Sequence, residues 1–213
     1  MSELSQEFER SRYVRVPAIL DAHLCVLAEQ YALMQERGRP NRGDVNGHGA
    51  KAHHQMYGDT LMDMILSYLR KPMERATGLA LAPTYSYFRV YRPGAELLEH
   101  TDRPSCEISV SVTLGARDID PWPIAMYETL LSLDAGDGVA YRGMEVPHAR
   151  GVLTGRPGGY CVQAFYHYID RNGPFAGILE NDARPALGFP SESQDMERLG
   201  QAAAKAAELG FEV

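Results

Sequence analysis

The pattern of apolar positions changes once along the chain, from helical spacing before residue 80 to alternation after residue 84. Residues 18–37 place Leu20, Leu24, Leu27, Tyr31 and Met34 on one stripe, with Asp21 positioned as an N-cap and Gly38 as a stop. A second helix is predicted over residues 60–76, burying Leu61, Ile65, Leu66 and Leu69. Pro72 falls inside it and, lacking an amide hydrogen, is predicted to kink or split it. Ahead of both, residues 13–18 (Tyr-Val-Arg-Val-Pro-Ala) read as a short entry strand closed by Pro17. Residues 38–52 are rich in Gly and Asn, have no period and read as a loop.

The second half is written in strands. Residues 85–91 are rich in aromatics and stop at the turn Arg92-Pro-Gly. Residues 107–114 alternate, with Ile108, Val110, Val112 and Leu114 on one face and Ser109, Ser111 and Thr113 on the other, as in a half-buried strand. More strands are predicted near 122–127, 130–134, 138–142, 146–153 and 160–169, and an Ala-rich helix over 193–209. Helices, then seven or eight short strands, then a helix predict a mainly β protein of the α+β class, a sandwich or barrel buttressed by N-terminal helices. The 213 residues suit one domain: 12–80 for the entry strand and helices, 84–170 for the β core, and 171–213 for a C-terminal extension.

Composition narrows the partners. A net charge of −7, from 21 Lys+Arg against 28 Asp+Glu, offers no footprint for a phosphate backbone, so nucleic acid is not expected. The first ten residues lack the apolar core of a secretory signal, and no apolar run is long enough to span a bilayer. Cys25, Cys106 and Cys161 are odd in number and lack metal-site spacing; they read as free thiols of a reducing cytoplasm. A small-molecule or peptide substrate is the expected partner, and the oligomeric state is not encoded legibly.

The chemistry concentrates in His100-Thr101-Asp102 and in His148, 46 residues beyond Asp102. On a strand, residues i and i+2 point the same way, so the dyad aims an imidazole and a carboxylate at one point. Two histidines and one carboxylate make a facial ligand set that leaves three positions on Fe(II) open for a chelating 2-oxo acid and dioxygen. The plainer alternative makes His100 a surface residue beside Glu99 and His148 a satisfied core histidine. The order of elements, an aromatic strand and turn before the dyad and several strands before His148, favours the metal.

Residues 85–170 resemble the double-stranded β-helix (jelly-roll, cupin-like) core of the 2-oxoglutarate/Fe(II) dioxygenases, nearest the prolyl-hydroxylase-like branch. The resemblance is carried by Tyr91-Arg-Pro-Gly, His100-Thr-Asp102, Leu133-Asp-Ala-Gly-Asp137 and Val146-Pro-His148, and residues 13–36 resemble that branch's N-terminal portion. It implies His100, Asp102 and His148 as iron ligands, with 2-oxoglutarate and dioxygen as cosubstrates. The implied reaction is hydroxylation of an aliphatic C–H in an amino acid, small metabolite or peptide residue. Related halogenases carry Gly or Ala in place of the carboxylate, so Asp102 favours hydroxylation, with desaturation and ring closure still open.

The cosubstrate's distal carboxylate needs a buried cation, for which Arg is best suited. The family places it nine or ten residues after the distal histidine; here those positions are Pro157 and Gly158, a departure. Arg150, two residues after His148 and on its strand face, is favoured over Arg156, which sits in a turn-like Thr-Gly-Arg-Pro-Gly-Gly. Arg89 ranks third, on the face of Tyr91. Tyr91 matches the family's phenol toward 2-oxoglutarate, or is an ordinary strand aromatic. Tyr87, with Arg89, is expected on the substrate side. His48, His53 and His54 read as a polar loop in the position of a lid rather than a second metal site. Trp122 reads as packing, Asp134 to Asp137 as a turn rather than a calcium loop, and His167 as an interior residue that nothing selects as a ligand. Two other classes stay open: a non-catalytic, cupin-like barrel that binds a metabolite, and a metal-dependent hydrolase or isomerase on the same scaffold.

Overall fold

The computed structural model describes residues 2–38 and 54–211. Their elements are α1 (Glu3–Ser11), β1 (Tyr13–Val16), α2 (Ala22–Gly38), β2 (His54–Tyr57), α3 (Thr60–Thr77), β3 (Leu81–Tyr91), β4 (Leu97–His100), β5 (Ile108–Ile119), β6 (Ile124–Met126), β7 (Thr129–Leu131), β8 (Gly138–Tyr141), β9 (His148–Arg150), β10 (Gly155–Asp170) and α4 (Met196–Glu208). The strands form a six-stranded sheet, β1-β8-β5-β10-β3-β2, and a four-stranded sheet, β4-β9-β6-β7. Every pairing is antiparallel.

The alternation of β5 explains the layering. Ile108, Val110, Val112 and Leu114 pack into the main core with Ala28 and Ala32 of α2 and Leu66 and Leu69 of α3. Ser109, Ser111 and Thr113 are buried as well. The polar face expected to be half-buried therefore looks not at water but across at the small sheet. Its hydroxyls are satisfied there: Gln163 Nε2 donates to Thr113 Oγ1 at 2.9 Å, and Ser109 Oγ bonds His167 Nδ1 at 2.8 Å.

The two predicted N-terminal helices form, but α2 turns another face inward than the expected stripe. Cys25, Ala28, Ala32 and Leu33 are buried, whereas Leu27 and Met34 are exposed, because the small alanines let the helix lie close against the sheet. Asp21 Oδ1 accepts from the amides of His23 and Leu24 at 3.0 and 3.1 Å, the expected N-cap of α2. Against expectation, α3 runs unbroken through Pro72. Leu66, Leu69 and Met73, all at 0% exposure, and Ala76 at 1% clamp the helix on both sides of the proline. Their burial, worth roughly 1.5–3 kcal/mol for each large side chain, outweighs the roughly 3 kcal/mol that an interior proline costs. Helix α1 had no clear periodic signal, since Phe8 and Leu4 are its only large aliphatic or aromatic residues; Ser2 caps it and Phe8 is fully buried. The C-terminal extension packs Ala202 and Ala206 of α4 against Phe175 and Leu179.

Asp134 to Asp137 is the expected turn, with Asp137 accepting from the Ala18 amide at 2.9 Å and from Arg15 at 2.6 Å. Cys25, Cys106 and Cys161 are free and buried. Among the described residues no helix is long and apolar enough to cross a membrane. His48 and His53 lie outside the described residues, whereas His54 begins β2, fully buried against the Phe88 ring.

Leu66→Ala should destabilise the protein by about 2–5 kcal/mol, the range for a fully buried leucine. Urea unfolding checks this, and an unchanged midpoint would show that α3 does not anchor the large sheet.

Candidate metal centre

Neighbouring strands build the site. β4 and β9 pair antiparallel with His100 opposite His148, and the two rings lie 4.3 Å apart. Each imidazole is oriented by the carbonyl two residues before it: His100 Nδ1 is 2.8 Å from Leu98 O and His148 Nδ1 is 3.0 Å from Val146 O. A carbonyl only accepts, so Nδ1 carries the proton in both rings and Nε2 presents its lone pair.

Asp102 arrives by another route than strand alternation. β4 ends at His100, and Thr101 and Asp102 lie in the loop beyond it. The Asp102 amide donates to Gly143 O at 2.8 Å, tying that loop to the turn after β8. Only glycine permits this approach: a Cβ on Gly143 would fall 2.1 Å from Cys106 O and 2.7 Å from Asp102 Oδ2. The result is convergence on one oxygen, with His100 Nε2 3.8 Å and His148 Nε2 3.7 Å from Asp102 Oδ1. Those separations are too long for hydrogen bonds and suit ligands arranged around a shared ion.

The donor set fits a divalent first-row metal. Burial pushes the Asp102 carboxyl up to about 6, against the opposing pull of His100 and hydrogen bonds from Ser109 and Tyr141. Among the described residues no Lys or Arg forms an ion pair with it. Two nitrogens and a carboxylate without a cation are the N/N/O set that such metals take.

The triad opens into a cavity of about 800 Å³ that Tyr85, Tyr87, Arg89, Phe165 and His167 help to line. Across the large sheet, Thr113, Gln163, Arg89 and Gln55 pair in one row. Arg150 reaches this row from β9, donating from Nη2 to Gln163 Oε1 at 3.2 Å and from Nη1 to Trp122 O at 2.7 Å. Arg89 and Arg150 are 5% and 4% exposed, and neither forms an ion pair with a carboxylate among the described residues. The Nε of each is buried without a hydrogen-bond partner. Burial pulls the Arg150 guanidinium below its ordinary pKa. Arg89 pairs across the strands with Gln163, and Arg150 donates to that same side chain; desolvated cations of this kind are costly unless an anion joins them.

The remaining expected residues separate. Tyr91 is fully buried behind this row, accepting from Arg89 Nη1 at a long 3.5 Å and meeting Trp122 edge-on at 4.9 Å. Trp122 is thus a packing residue, as expected. Tyr87 lies under the Arg89 guanidinium at 5.2 Å on the cavity wall. Arg156 is not brought to the cavity: it is exposed at the start of β10, in a separate depression with Asp118 and Asp120.

Several site residues were not foreseen. Gly143 gave no signal beyond being a glycine after a strand. Arg103 donates to Asp182 at 3.1 and 2.8 Å, joining the site to the distant C-terminal extension. Asn181, Asp182 and Ala183 hold φ values of 55°, 58° and 57°, a left-handed run that three non-glycine residues rarely sustain and that sequence does not announce. His167 is 5% exposed, and burial drops its pKa to about 3, so its ring is neutral.

No protein-family model and no curated protein matches the sequence. Solved structures do match. The non-heme α-ketoglutarate-dependent epimerase SnoN of nogalamycin biosynthesis superposes with a TM-score of 0.64 at 14% identity, over 78% of this chain and 81% of that one. A Pseudomonas putida prolyl-4-hydroxylase gives 0.61 at 18% identity, over 80% and 98%. The non-heme α-ketoglutarate-dependent carbocyclase SnoK gives 0.60 at 14% identity, over 80% and 84%. By its fold, then, the chain is similar to solved structures described as α-ketoglutarate-dependent enzymes and as a prolyl-4-hydroxylase.

Proposed function

We propose that the protein is a 2-oxoglutarate-dependent oxygenase whose two sheets are the halves of a double-stranded β-helix, with Fe(II) held by His100, Asp102 and His148. The observation that carries this reading is the aim of both Nε2 atoms at one Asp102 oxygen, inside a cavity whose neighbouring wall holds two buried cations without an anion. When bound, Fe(II) with 2-oxoglutarate and dioxygen supplies the oxidising power to break an aliphatic C–H bond. Everything else is the work of this chain.

Leu98 O and Val146 O fix the histidine tautomers. Asp102 supplies the anionic ligand, and its presence supports hydroxylation over halogenation. Arg150, with Arg89 beside it and Tyr91 behind, receives the distal carboxylate of 2-oxoglutarate, and Gln163 and Thr113 complete that polar row. Epimerase and carbocyclase neighbours on the same fold keep desaturation and ring closure within reach of the same ligand set. The substrate is a small molecule or peptide, and the free thiols agree with a cytoplasmic setting. A barrel that only binds a metabolite shares the demand for an anion but not for three converging metal donors.

The reading is tested by succinate release coupled to dioxygen uptake, alongside anaerobic binding of Fe(II) and 2-oxoglutarate. Asp102→Gly should abolish turnover, and wild-type rates in that variant would remove Asp102 from the ligand set. Gly143→Ala leaves all three donors in the sequence but crowds the carboxylate. Its affinity for the metal should fall about ten- to a hundredfold, the usual cost of disturbing what orients a ligand.

A separate comparison tests the anchor. Arg150→Ala should weaken 2-oxoglutarate binding by on the order of 3–5 kcal/mol, the scale for breaking a buried ion pair. Arg156→Ala should leave it unchanged. A larger loss from Arg156→Ala would place the anchor at the family spacing after all.

A further inference from the structure

We infer that the substrate is an uncharged, ring-bearing alcohol whose hydroxyl donates a hydrogen bond to His167 Nε2. This rests on the oxygenase reading only for what happens to the alcohol, not for its binding.

The proton inventory around Ser109 sets the tautomer of His167. Ser109 Oγ lies 3.1 Å from Cys106 O and 3.4 Å from the Asp102 carboxylate, and both of these accept, so the single hydroxyl proton of Ser109 is directed to that side. The contact of 2.8 Å between Ser109 Oγ and His167 Nδ1 then has Nδ1–H as its donor. His167 Nε2 is left with a lone pair, and it makes no hydrogen bond among the described residues. The ring lines the cavity, and His167, Cys106 and Asp102 each bring a donor atom within 4.8 Å of the others. With this ring in the cavity lining beside the triad, an acceptor nitrogen that makes no hydrogen bond among the described residues asks for a donor on the substrate.

The wall around it is aromatic. The Tyr85 ring lies 4.5 Å from His167 on one side and stacks on Tyr57 at 4.8 Å on the other. Phe165 and Tyr87 continue the panel at 6.4 Å. Such faces favour a planar or cyclic apolar body.

The same wall offers no charge to spare. Arg103 lies over Tyr85 at 4.6 Å, but both its terminal nitrogens are committed to Asp182. Asp182 in turn accepts from Gln194 at 2.6 Å and from the Tyr57 hydroxyl. Glu192 stands exposed at the rim. A zwitterionic amino acid would need both a cation and an anion from this wall, and among the described residues the deep pair is closed on itself. A neutral alcohol needs only His167 and the rings.

The test uses the full protein loaded with Zn(II), a diamagnetic stand-in, and saturated with 2-oxoglutarate so that the arginine row is occupied. The probes are benzyl alcohol, benzyl methyl ether and benzoate. They share the ring and differ in donating a proton, donating none, or bearing a charge. Binding is followed by NMR, with histidine labelled with nitrogen-15 so that Nε2 is observed directly.

Benzyl alcohol should bind about tenfold more tightly than either other probe, since one hydrogen bond to a buried acceptor is worth about that ratio. It should also shift the His167 Nε2 resonance. His167→Phe should erase the preference and His167→Gln, which keeps an acceptor, should retain part of it. If His167→Phe does not fold, the wild-type resonance and His167→Gln decide. Benzoate binding as tightly as the alcohol overturns the inference, as does a preference that survives in His167→Phe or no binding of any probe. Failure of Zn(II) and 2-oxoglutarate to bind, with the alcohol still bound through His167, would instead overturn the oxygenase reading alone.

Discussion

The arrangement depends on burying like-natured polar groups next to one another. Two imidazoles and a carboxylate face a common point, and Asp102 Oδ1 lies 3.7 and 3.8 Å from the two Nε2 atoms, beyond hydrogen-bond reach. The chain supplies no ion-paired Lys or Arg to stabilise that carboxylate among its described residues. Its loop is held by backbone, through the amide of Asp102 on Gly143 O and the missing Cβ of Gly143 that lets the two loops touch, and its carboxylate accepts from Ser109 at 3.4 Å. The hydrophobic core lies elsewhere, between the large sheet and the helices, and it stabilises this polar interior from behind. Stability is thereby kept on one side of the large sheet and unmet electrostatic demand on the other.

That division accounts for the two arginines. A buried guanidinium without a carboxylate is costly, and a pair in one layer is more so. Arg150 is partly satisfied by neutral acceptors, Trp122 O and Gln163 Oε1, which hold its geometry without cancelling its charge. Arg89 lies over Tyr87, where the ring face is attractive to a cation but far weaker than an anion. Neutral partners of this kind keep a positive layer in a folded protein while leaving it available to a carboxylate.

The sequence made the alternation of β5, the order of helices and strands and the N-cap Asp21 legible, because each depends on local spacing; His100, Asp102 and His148 stand out by residue type and by resemblance, and their convergence is tertiary. It misled where tertiary packing overrode a local rule. Pro72 does not break α3 because Leu69 and Met73 are pinned on either side of it. Asp102 meets the two histidines from a loop and not from a strand, a route that strand alternation does not describe. Arg156 looked plausible by counting from His148, but β10 begins at Gly155 and carries it out to solvent, whereas Arg89, ranked last by sequence, lines the cavity. Asp182 was beyond sequence reasoning. Its role depends on a left-handed run of three residues and on a partner 79 positions away.

That long-range partner gives the cavity its direction. From Arg89, through His100, Asp102 and His148, to the aromatic wall, the lining passes from a positive charge without an ion pair among the described residues, to two imidazoles and a carboxylate, to charge closed within itself. The first region is built on β3, β9 and β10, and so belongs to the sheets. The last is completed by Asp182 and Gln194 of the C-terminal extension, which hold Arg103 and Tyr57 in place from outside the sheets. Under the proposed function, the paired sheets fix the end where 2-oxoglutarate would bind, and a loop segment shapes the end where the substrate would. Loops tolerate change better than paired strands do. Residues 180–194 are consequently where the same scaffold can alter what it accepts with least effect on His100, Asp102 and His148, because the hydrogen bonds that orient these three, to Leu98 O, Gly143 O and Val146 O, lie outside that segment.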